Sequence, residues 1–254
     1  KLRIGFPESE ILAELKEIEK VAELKTAGIR DLVRDARPGL IAAAGLAILQ
    51  QFVGINSVLY YGPTVIRDMF RGGWTGDTNR DALIIQMILG TINFLGVILA
   101  VFIINKKGNK YWLILGALGM GVCLGFLAAL ETHLIADPTG GYIAILLIAL
   151  YLVFFEISWG PIVWNTIGEI FPLSVRGVGA SIATSINWFS NFGVMFLFPT
   201  LIGKQANGSA NHLSWGLLFF FVFAIASCFF VKYFVPETRG KSLEEIEEEF
   251  RHLK

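Results

Sequence analysis

The chain has little charge, cysteine or histidine. Only 17% of its 254 residues are charged, whereas a soluble domain carries about 25%. The formal net charge is zero, which gives no support to a nucleic-acid partner. The two cysteines, Cys123 and Cys228, lie in apolar surroundings. We expect both to act as small hydrophobic side chains rather than as disulfide partners or metal ligands.

Signatures of metal and acid–base chemistry are missing as well. The sequence contains no CxxC or HExxH pattern, and its histidines, His133, His212 and His252, fall in connecting or terminal segments. The interiors of its apolar stretches hold a single carboxylate and no histidine, so no acid–base pair is available for catalysis there. We therefore expect no metal, no cofactor and no enzymatic activity.

What the chain does contain is six long apolar stretches. Hydrophobic residues make up 54% of the sequence, and about 20 apolar residues suffice for a helix to cross a bilayer. The stretches are 39–66, 82–104, 111–131, 142–167, 177–203 and 213–235. They predict an all-α membrane protein with a six-transmembrane-helix bundle over 38–235, flanked by polar segments 1–37 and 236–254.

The distribution of basic residues predicts the orientation of this bundle in the cell membrane. Seventeen of the 21 Lys and Arg residues lie in the two flanks and in the loops on the same side as the flanks; four lie on the other side. Short cytoplasmic loops are enriched in Lys and Arg. We expect a multi-pass protein with both termini of the chain in the cytoplasm.

The flanks carry helical patterns of their own. Apolar residues recur at helical spacing through 8–26, which is typical of a solvated amphipathic helix or of a bracket lying against the bundle. In the other flank, Ser242 and Glu245 form a capping-box pattern before a narrow apolar stripe. Because Lys1 is not an initiator methionine and no signal peptide precedes the first stretch, we expect the chain to be part of a longer protein.

Polar side chains interrupt the first stretch. They are Gln50, Gln51, Asn56, Ser57, Tyr60 and Tyr61. A straight helix would point Gln51 and Asn56 about 140° apart, but Gly54 and the Gly62-Pro63 pair are places where a helix can bend or unwind. A bent helix could turn these side chains toward one cavity. The alternative is hydrogen bonding between helices, which also occurs in membrane bundles.

The fourth stretch contains Glu156, the Gly160-Pro161 pair and two tryptophans, Trp159 and Trp164. An intramembrane carboxylate is costly and marks a functional site by default, although a paired structural glutamate is the alternative. Aromatic faces commonly stack on sugar rings, and amides and carboxylates can bind sugar hydroxyls. Together with Asn93 in the second stretch and Asn187 in the fifth, these residues favour a neutral polyhydroxylated ligand.

Four motifs carry a resemblance to a known family. The segments QQFVGIN…YYGP, EISWGPIVW, EIFPLSVRG and PETRGKSLEEIEEEF occur in this order over nearly the whole chain. They resemble the sugar porter family of the major facilitator superfamily. The resemblance implies the C-terminal half of a twelve-helix transporter. Residues 1–37 would be the linker between the halves, and the partner would be the N-terminal six-helix half.

The resemblance also implies roles for single residues. Those implied to bind substrate are Gln50, Gln51, Asn56, Tyr60, Asn93, Glu156, Trp164 and Asn187. Those implied to act in gating are Tyr60, Tyr61, Gly160 and Pro161, together with the charge pair Glu169 and Arg176. One departure is the loop 105–110, where asparagine replaces both the acidic residue and the first arginine of the family pattern. A weakened latch, or one moved to the neighbouring lysines, is expected there.

The function that the resemblance implies is transport of a hexose or related monosaccharide by alternating access. A membrane sugar sensor on the same fold is the alternative, and the short tail argues against it. The sugar and the choice between proton symport and uniport stay open, because in this family the coupling aspartate lies in the other half. Asn207 begins a glycosylation sequon, Asn-Gly-Ser, which we expect to be unused.

Overall fold

The computed structural model describes residues 28–60, 75–136, 140–203 and 213–242 and the positions 245, 246 and 248. Within these ranges every regular element is a helix. The α-helices are α1 (Ile29–Asp35), α2 (Arg37–Phe52), α3 (Thr78–Ile103), α4 (Asn109–Ala136), α5 (Gly140–Glu156), α6 (Trp159–Glu169), α7 (Arg176–Ile202) and α8 (Leu213–Phe234). A short 3₁₀-helix, Ile104–Lys106, follows α3.

Six helical spans in the described part of the chain are long and apolar enough to cross a membrane. They are Arg37–Tyr60, Asn79–Lys106, Asn109–Leu130, Gly140–Glu169, Arg176–Ile202 and Leu213–Phe234. Each coincides with one apolar stretch of the sequence, so the predicted six-helix bundle is confirmed. Because the spans alternate in direction, we call the two ends of the bundle the Arg37 end and the Tyr60 end, after the limits of the first span.

The third span has extensive contacts with two other spans. It lies against the fourth and sixth spans, while the first span packs on the fifth and the second on the fourth. The core between them is aliphatic and aromatic, with Leu46, Leu124, Leu152 and Phe220 fully or almost fully buried. Coverage of the spans is uneven. Over an 18-residue stretch of each span, 17% of the residues of the second span and 28% of those of the fifth are buried, against 56% in the first.

The first span is broken in its middle. Helix α2 ends at Phe52, a turn follows at Val53 and Gly54, and residues 55–60 are helical again. Gly54 has a φ of +97°, a conformation that favours glycine. A Cβ there would meet the Phe220 ring at 2.6 Å. The bend predicted at Gly54 is therefore confirmed, and the Tyr151 hydroxyl stabilises it by donating to the Val53 carbonyl at 3.0 Å.

The fourth span is broken as well. Helix α5 ends at Glu156, Ile157 and Ser158 form a turn, and α6 begins at Trp159. Pro161 thus lies in the first turn of a new helix, where its missing N–H costs no intrahelical hydrogen bond. The Trp159 indole donates to the Leu113 carbonyl at 2.8 Å and fixes the break to the third span.

The flanks are described only in part. The amphipathic pattern at 8–26 lies outside the described residues. At the other flank the capping box is confirmed, because the Ser242 N–H donates to the Glu245 carboxylate at 2.7 Å and the Glu245 N–H donates to the Ser242 hydroxyl at 3.3 Å. The Ile246 side chain that follows is buried.

Candidate functional site

Four amide side chains form a continuous chain of hydrogen bonds in the interior of the bundle. Asn56 donates to Gln51 at 2.7 Å, Gln51 donates to Asn187 at 3.1 Å, and Asn187 donates to Gln50 at 2.9 Å. We call these four residues the amide relay. The break at Gly54 lies between Gln51 and Asn56 and brings their side chains into contact, which a straight helix would not allow.

Backbone carbonyls hold Gln50 and Asn187, which lie at the end of the relay opposite Asn56. The Gln50 amide nitrogen donates to the Trp159 carbonyl at 2.8 Å and, less closely, to the Gly160 carbonyl at 3.4 Å. The Asn187 amide nitrogen also donates to the Ala47 carbonyl at 3.0 Å. These bonds connect the broken first span to the break of the fourth span and to the middle of the fifth.

A second polar contact lies where the second and fourth spans meet. The Asn93 amide donates to the Glu156 carboxylate at 2.7 Å, and Glu156 is buried. The spans approach closely at this point, since a Cβ on Gly96 would meet the Glu156 Cβ at 2.8 Å. Glu156 is the last residue of α5, so the break leaves its side chain beside the first turn of α6.

The aromatic residues of the site divide into buried and exposed ones. Trp159 is fully buried with its indole N–H occupied, so it supports the helix break and offers no face to a ligand. Trp164 is 41% exposed, and Trp188, beside Asn187, is 65% exposed. Of the two tryptophans that the sequence places around Gly160-Pro161, the structure leaves only Trp164 accessible.

The predicted gating residues lie at several places. Tyr60 is exposed at the Tyr60 end, whereas Tyr61 lies outside the described residues, as does Asn207. Gly160 and Pro161 lie in the first turn of α6. At the Arg37 end, Arg176 donates through Nε to the Phe171 carbonyl at 3.1 Å, and Glu169 binds other partners. The two members of the predicted charge pair do not contact each other in this conformation.

Glu169 belongs to a polar group at the Arg37 end that we call the end cluster: Asn109, Glu169, Glu237, Thr238 and Arg239. The Glu169 carboxylate accepts from the Thr238 hydroxyl at 2.7 Å and from the Asn109 amide at 3.3 Å. Asn109 stands where the family pattern has arginine, so a neutral amide makes this contact. Arg239 donates to the Lys107 and Asn105 backbone carbonyls and thereby holds the loop 105–110.

Glu237 connects the end cluster to the start of the third span. Its carboxylate accepts from the backbone N–H groups of Asn109 at 2.9 Å and Lys110 at 3.1 Å, at the start of the third span. An anion at a helix N-terminus satisfies unpaired N–H groups and is favoured by the helix dipole. Nothing in the pattern of the loop itself predicts this contact, because Glu237 lies more than a hundred residues further along the chain.

Two further polar residues were not predicted as part of the site. Tyr151 stabilises the break of the first span through its hydrogen bond to Val53. Gln86 donates to the Leu59 carbonyl at 3.0 Å and holds the Tyr60 end of the first span against the second span. Gln86 could have been predicted from the sequence, because it is a polar residue in an apolar stretch. Tyr151 gave no signal, because only the fold places its hydroxyl beside Val53.

Comparison with known proteins agrees with this architecture. The family model described as "Sugar (and other) transporter" matches residues 7–250. The chain is 36% identical over 239 residues to a D-xylose transporter of Levilactobacillus brevis, covering 94% of the chain and 50% of that protein. It is 36% identical over 216 residues to a glucose facilitated diffusion protein of Zymomonas mobilis, covering 85% of the chain and 43% of that protein.

A solved structure shares the fold. It is the major facilitator superfamily proton:xylose symporter XylE bound to 6-bromo-6-deoxy-D-glucose, with a TM-score of 0.68 and 34% identity, covering 83% of this chain and 42% of that one. The fold is therefore the one seen in transporters of the major facilitator superfamily. The chain belongs to the sugar transporter family of the major facilitator superfamily, and it spans about half the length of the curated relatives it matches.

Proposed function

We propose that this chain is the C-terminal half of a carrier that moves a hexose or related monosaccharide across the cell membrane by alternating access. The carrying observation is the interior polar site: five neutral amides and one carboxylate gathered at two helix breaks. Neutral amides suit a neutral ligand with many hydroxyls, because each amide can donate and accept. A charged ligand would call for more fixed charge. Relatives named as xylose and glucose transporters support the same ligand class.

The contacts to the sugar come from residues that keep a polar atom or a ring face available. These are Gln51 and Asn56 in the first span, Asn93 and Glu156 between the second and fourth, and Trp164 in the fourth. The Gln50 amide nitrogen donates to two backbone carbonyls, and the Asn187 amide nitrogen donates to the Ala47 carbonyl and to Gln50. We therefore propose that Gln50 and Asn187 position the other residues of the site. We propose that Tyr60 and Tyr61 form its gate at the Tyr60 end.

The partner in this proposal is the N-terminal six-helix half. The second and fifth spans bury the least of their surface within the chain, which leaves their faces for that half. The sugar would lie between the halves near the membrane midplane, and the breaks at Gly54 and Gly160-Pro161 would allow local closure over it before the halves rock. Both termini of this chain would be cytoplasmic. Any proton coupling would run through the other half.

The test is sugar uptake by the complete carrier, expressed in a host without its own sugar transport. Replacing Asn56 or Asn93 with alanine should weaken sugar binding by about 1–3 kcal/mol, since buried polar groups lose a partner. Asn79→Ala, at an exposed asparagine at the start of α3, is the matched control and should leave uptake unchanged.

Unchanged sugar affinity in both site variants would remove them from the site. Saturable uptake by this chain alone in liposomes would contradict the need for the other half.

A further inference from the structure

Residues 55–60, which we call the outer segment, follow the break of the first span. The break leaves the Val53 carbonyl outside the helical hydrogen bonds of this segment, because they begin with Val58, whose N–H donates to the Gly54 carbonyl at 3.0 Å. Tyr151 of the fourth span supplies a donor: its hydroxyl donates to the Val53 carbonyl at 3.0 Å, and its side chain is buried. The start of the outer segment is thereby bonded to the fourth span.

The other end of the outer segment has a similar arrangement. In a continuing helix the Leu59 carbonyl would accept from the N–H of residue 63, but Pro63 has no N–H. Gln86 of the second span donates to the Leu59 carbonyl at 3.0 Å. Two side chains from two different spans thus donate to two carbonyls that the helix itself cannot use.

One buried hydroxyl opposes this arrangement. Ser57 lies in the outer segment, and its Oγ is buried with no hydrogen-bond partner among the described residues. A buried polar atom without a partner costs at least as much free energy as one hydrogen bond contributes. The two bonds to the carbonyls and the unpaired hydroxyl therefore act in opposite directions, and a change in either should move the segment.

The packing behind the outer segment is incomplete. A cavity of about 30 Å³ lies there, lined by Ser57 and Val58 of the segment and by Leu124, Tyr151 and Phe220 of the spans behind it, among others. Protein interiors are otherwise close-packed and resist rearrangement. The void therefore makes a displacement of the segment less costly than it would be in a filled core.

We infer that Tyr151 and Gln86 are positioning residues of the carrier, which hold the outer segment in its described place. We call this arrangement, with both bonds made, the bent form, and the arrangement without them the released form. The inference rests on the proposed function where it concerns sugar, because the segment contains Asn56. It adds that two residues outside the proposed sugar contacts decide how often the site is assembled.

The test measures the position of the outer segment in the complete carrier and needs no sugar. Spin labels are attached at Tyr60→Cys, at the end of the segment, and at Phe126→Cys, an exposed position on the third span. Cys123 and Cys228 are first replaced by alanine so that only the two introduced thiols react. The distance distribution between the labels then reports the ratio of bent to released form.

Two variants each remove one donor and keep a side chain of similar size: Tyr151→Phe and Gln86→Met. Each should lower the ratio of bent to released form roughly three- to tenfold, the effect of one neutral hydrogen bond. The double variant should show the product of the two changes, since the two bonds share no partner. Tyr233→Phe, at an exposed tyrosine of the sixth span, is the matched control and should leave the distances unchanged.

Ser57→Ala should act in the opposite direction. It removes the unpaired hydroxyl, so in the double variant it should shift the distances back toward the bent form. Loss of packing alone would lower the thermal stability of these proteins, but it would not give shifts of opposite sign.

Sugar binding provides a second measurement on the same variants. When only the bent form binds, the apparent affinity falls in proportion to the bent fraction. Labelled D-xylose and D-glucose should therefore bind more weakly in the double variant, by the factor that the spin labels give, and Ser57→Ala should restore part of the affinity.

The outcomes separate the two claims. If the double variant keeps the distances of the unaltered carrier, or if Ser57→Ala increases the released form, the inference is wrong; should the double variant not fold, the single variants decide. If the distances shift as expected but neither sugar follows the bent fraction, the proposed place of Asn56 in the sugar site is wrong, and the positioning by Tyr151 and Gln86 stands.

Discussion

The amide relay and the end cluster are both polar networks that join distant parts of the chain, yet they are built from different groups. The relay lies in the interior and uses only neutral amides and backbone carbonyls. The end cluster lies at the Arg37 end and uses carboxylates, with Glu169 exposed and Glu237 half-buried. The network in the interior is therefore built from neutral groups, and the network at the end of the bundle includes charged ones.

The cause is the cost of burying charge. An ionised group loses its hydration inside the bundle. Only well-placed charged or hydrogen-bonding partners offset the free energy that is lost. Amides satisfy each other without that cost, and each relay member both donates and accepts. At the Arg37 end, the N-terminus of the third span offers Glu237 two N–H groups and a favourable dipole. Glu156 is the exception in the interior, and it coincides with a helix break and an amide donor.

The largest expected effect comes from placing charge in the relay. Gln50→Glu would point a carboxylate at the Trp159 and Gly160 carbonyls, which cannot donate. We expect a loss of about 3 kcal/mol or more in the free energy of unfolding, measured by thermal unfolding in one detergent. Asn79→Asp, the same chemical change at an exposed helix start, should cost nothing. Equal stability of the two variants would contradict the described anchoring of Gln50.

An intermediate effect is expected in the end cluster. Glu237→Ala removes the acceptor of two N–H groups at the start of the third span, and helix caps of this kind contribute about 1–2 kcal/mol. Glu237→Gln keeps one oxygen acceptor and should retain part of the stability. Raising the salt concentration should narrow the gap between wild type and Glu237→Gln, because salt screens the charge. A gap that does not respond to salt would assign the effect to hydrogen bonding alone.

The smallest effect is expected at Glu169, whose described partners are the neutral Thr238 and Asn109. A glutamine oxygen can accept from the same two donors, so Glu169→Gln should change the free energy of unfolding by less than about 1 kcal/mol, and Glu169→Ala by more. The comparison is made by chemical denaturation of the three proteins. If glutamine is as damaging as alanine, the charge itself matters, as pairing with Arg176 in another conformation would require.

Much of the architecture follows from local sequence. Six apolar stretches of sufficient length predict six spans, because unpaired backbone groups in lipid leave helices as the stable form. Gly54 predicts the break in the first span, since few other residues adopt its φ, and Ser242 with Glu245 predicts a capping box that the structure confirms. The polar residues of the candidate site are also visible in the sequence, because amides and a carboxylate stand out in apolar helices.

Only the tertiary structure decided how those polar residues are connected. Gln50 and Gln51 are adjacent in the sequence, and nothing in the sequence distinguishes their roles. The fold buries Gln50 against the backbone of the fourth span, whereas Gln51 contacts Asn56, the half-buried last member of the relay. Trp159 and Trp164 likewise look alike in the sequence, and the fold buries the first and exposes the second. Composition and periodicity determine which elements form, because they act over a few residues. The direction of a hydrogen bond depends on a partner about 140 positions away, as between Asn187 and Ala47, and only packing brings the two together.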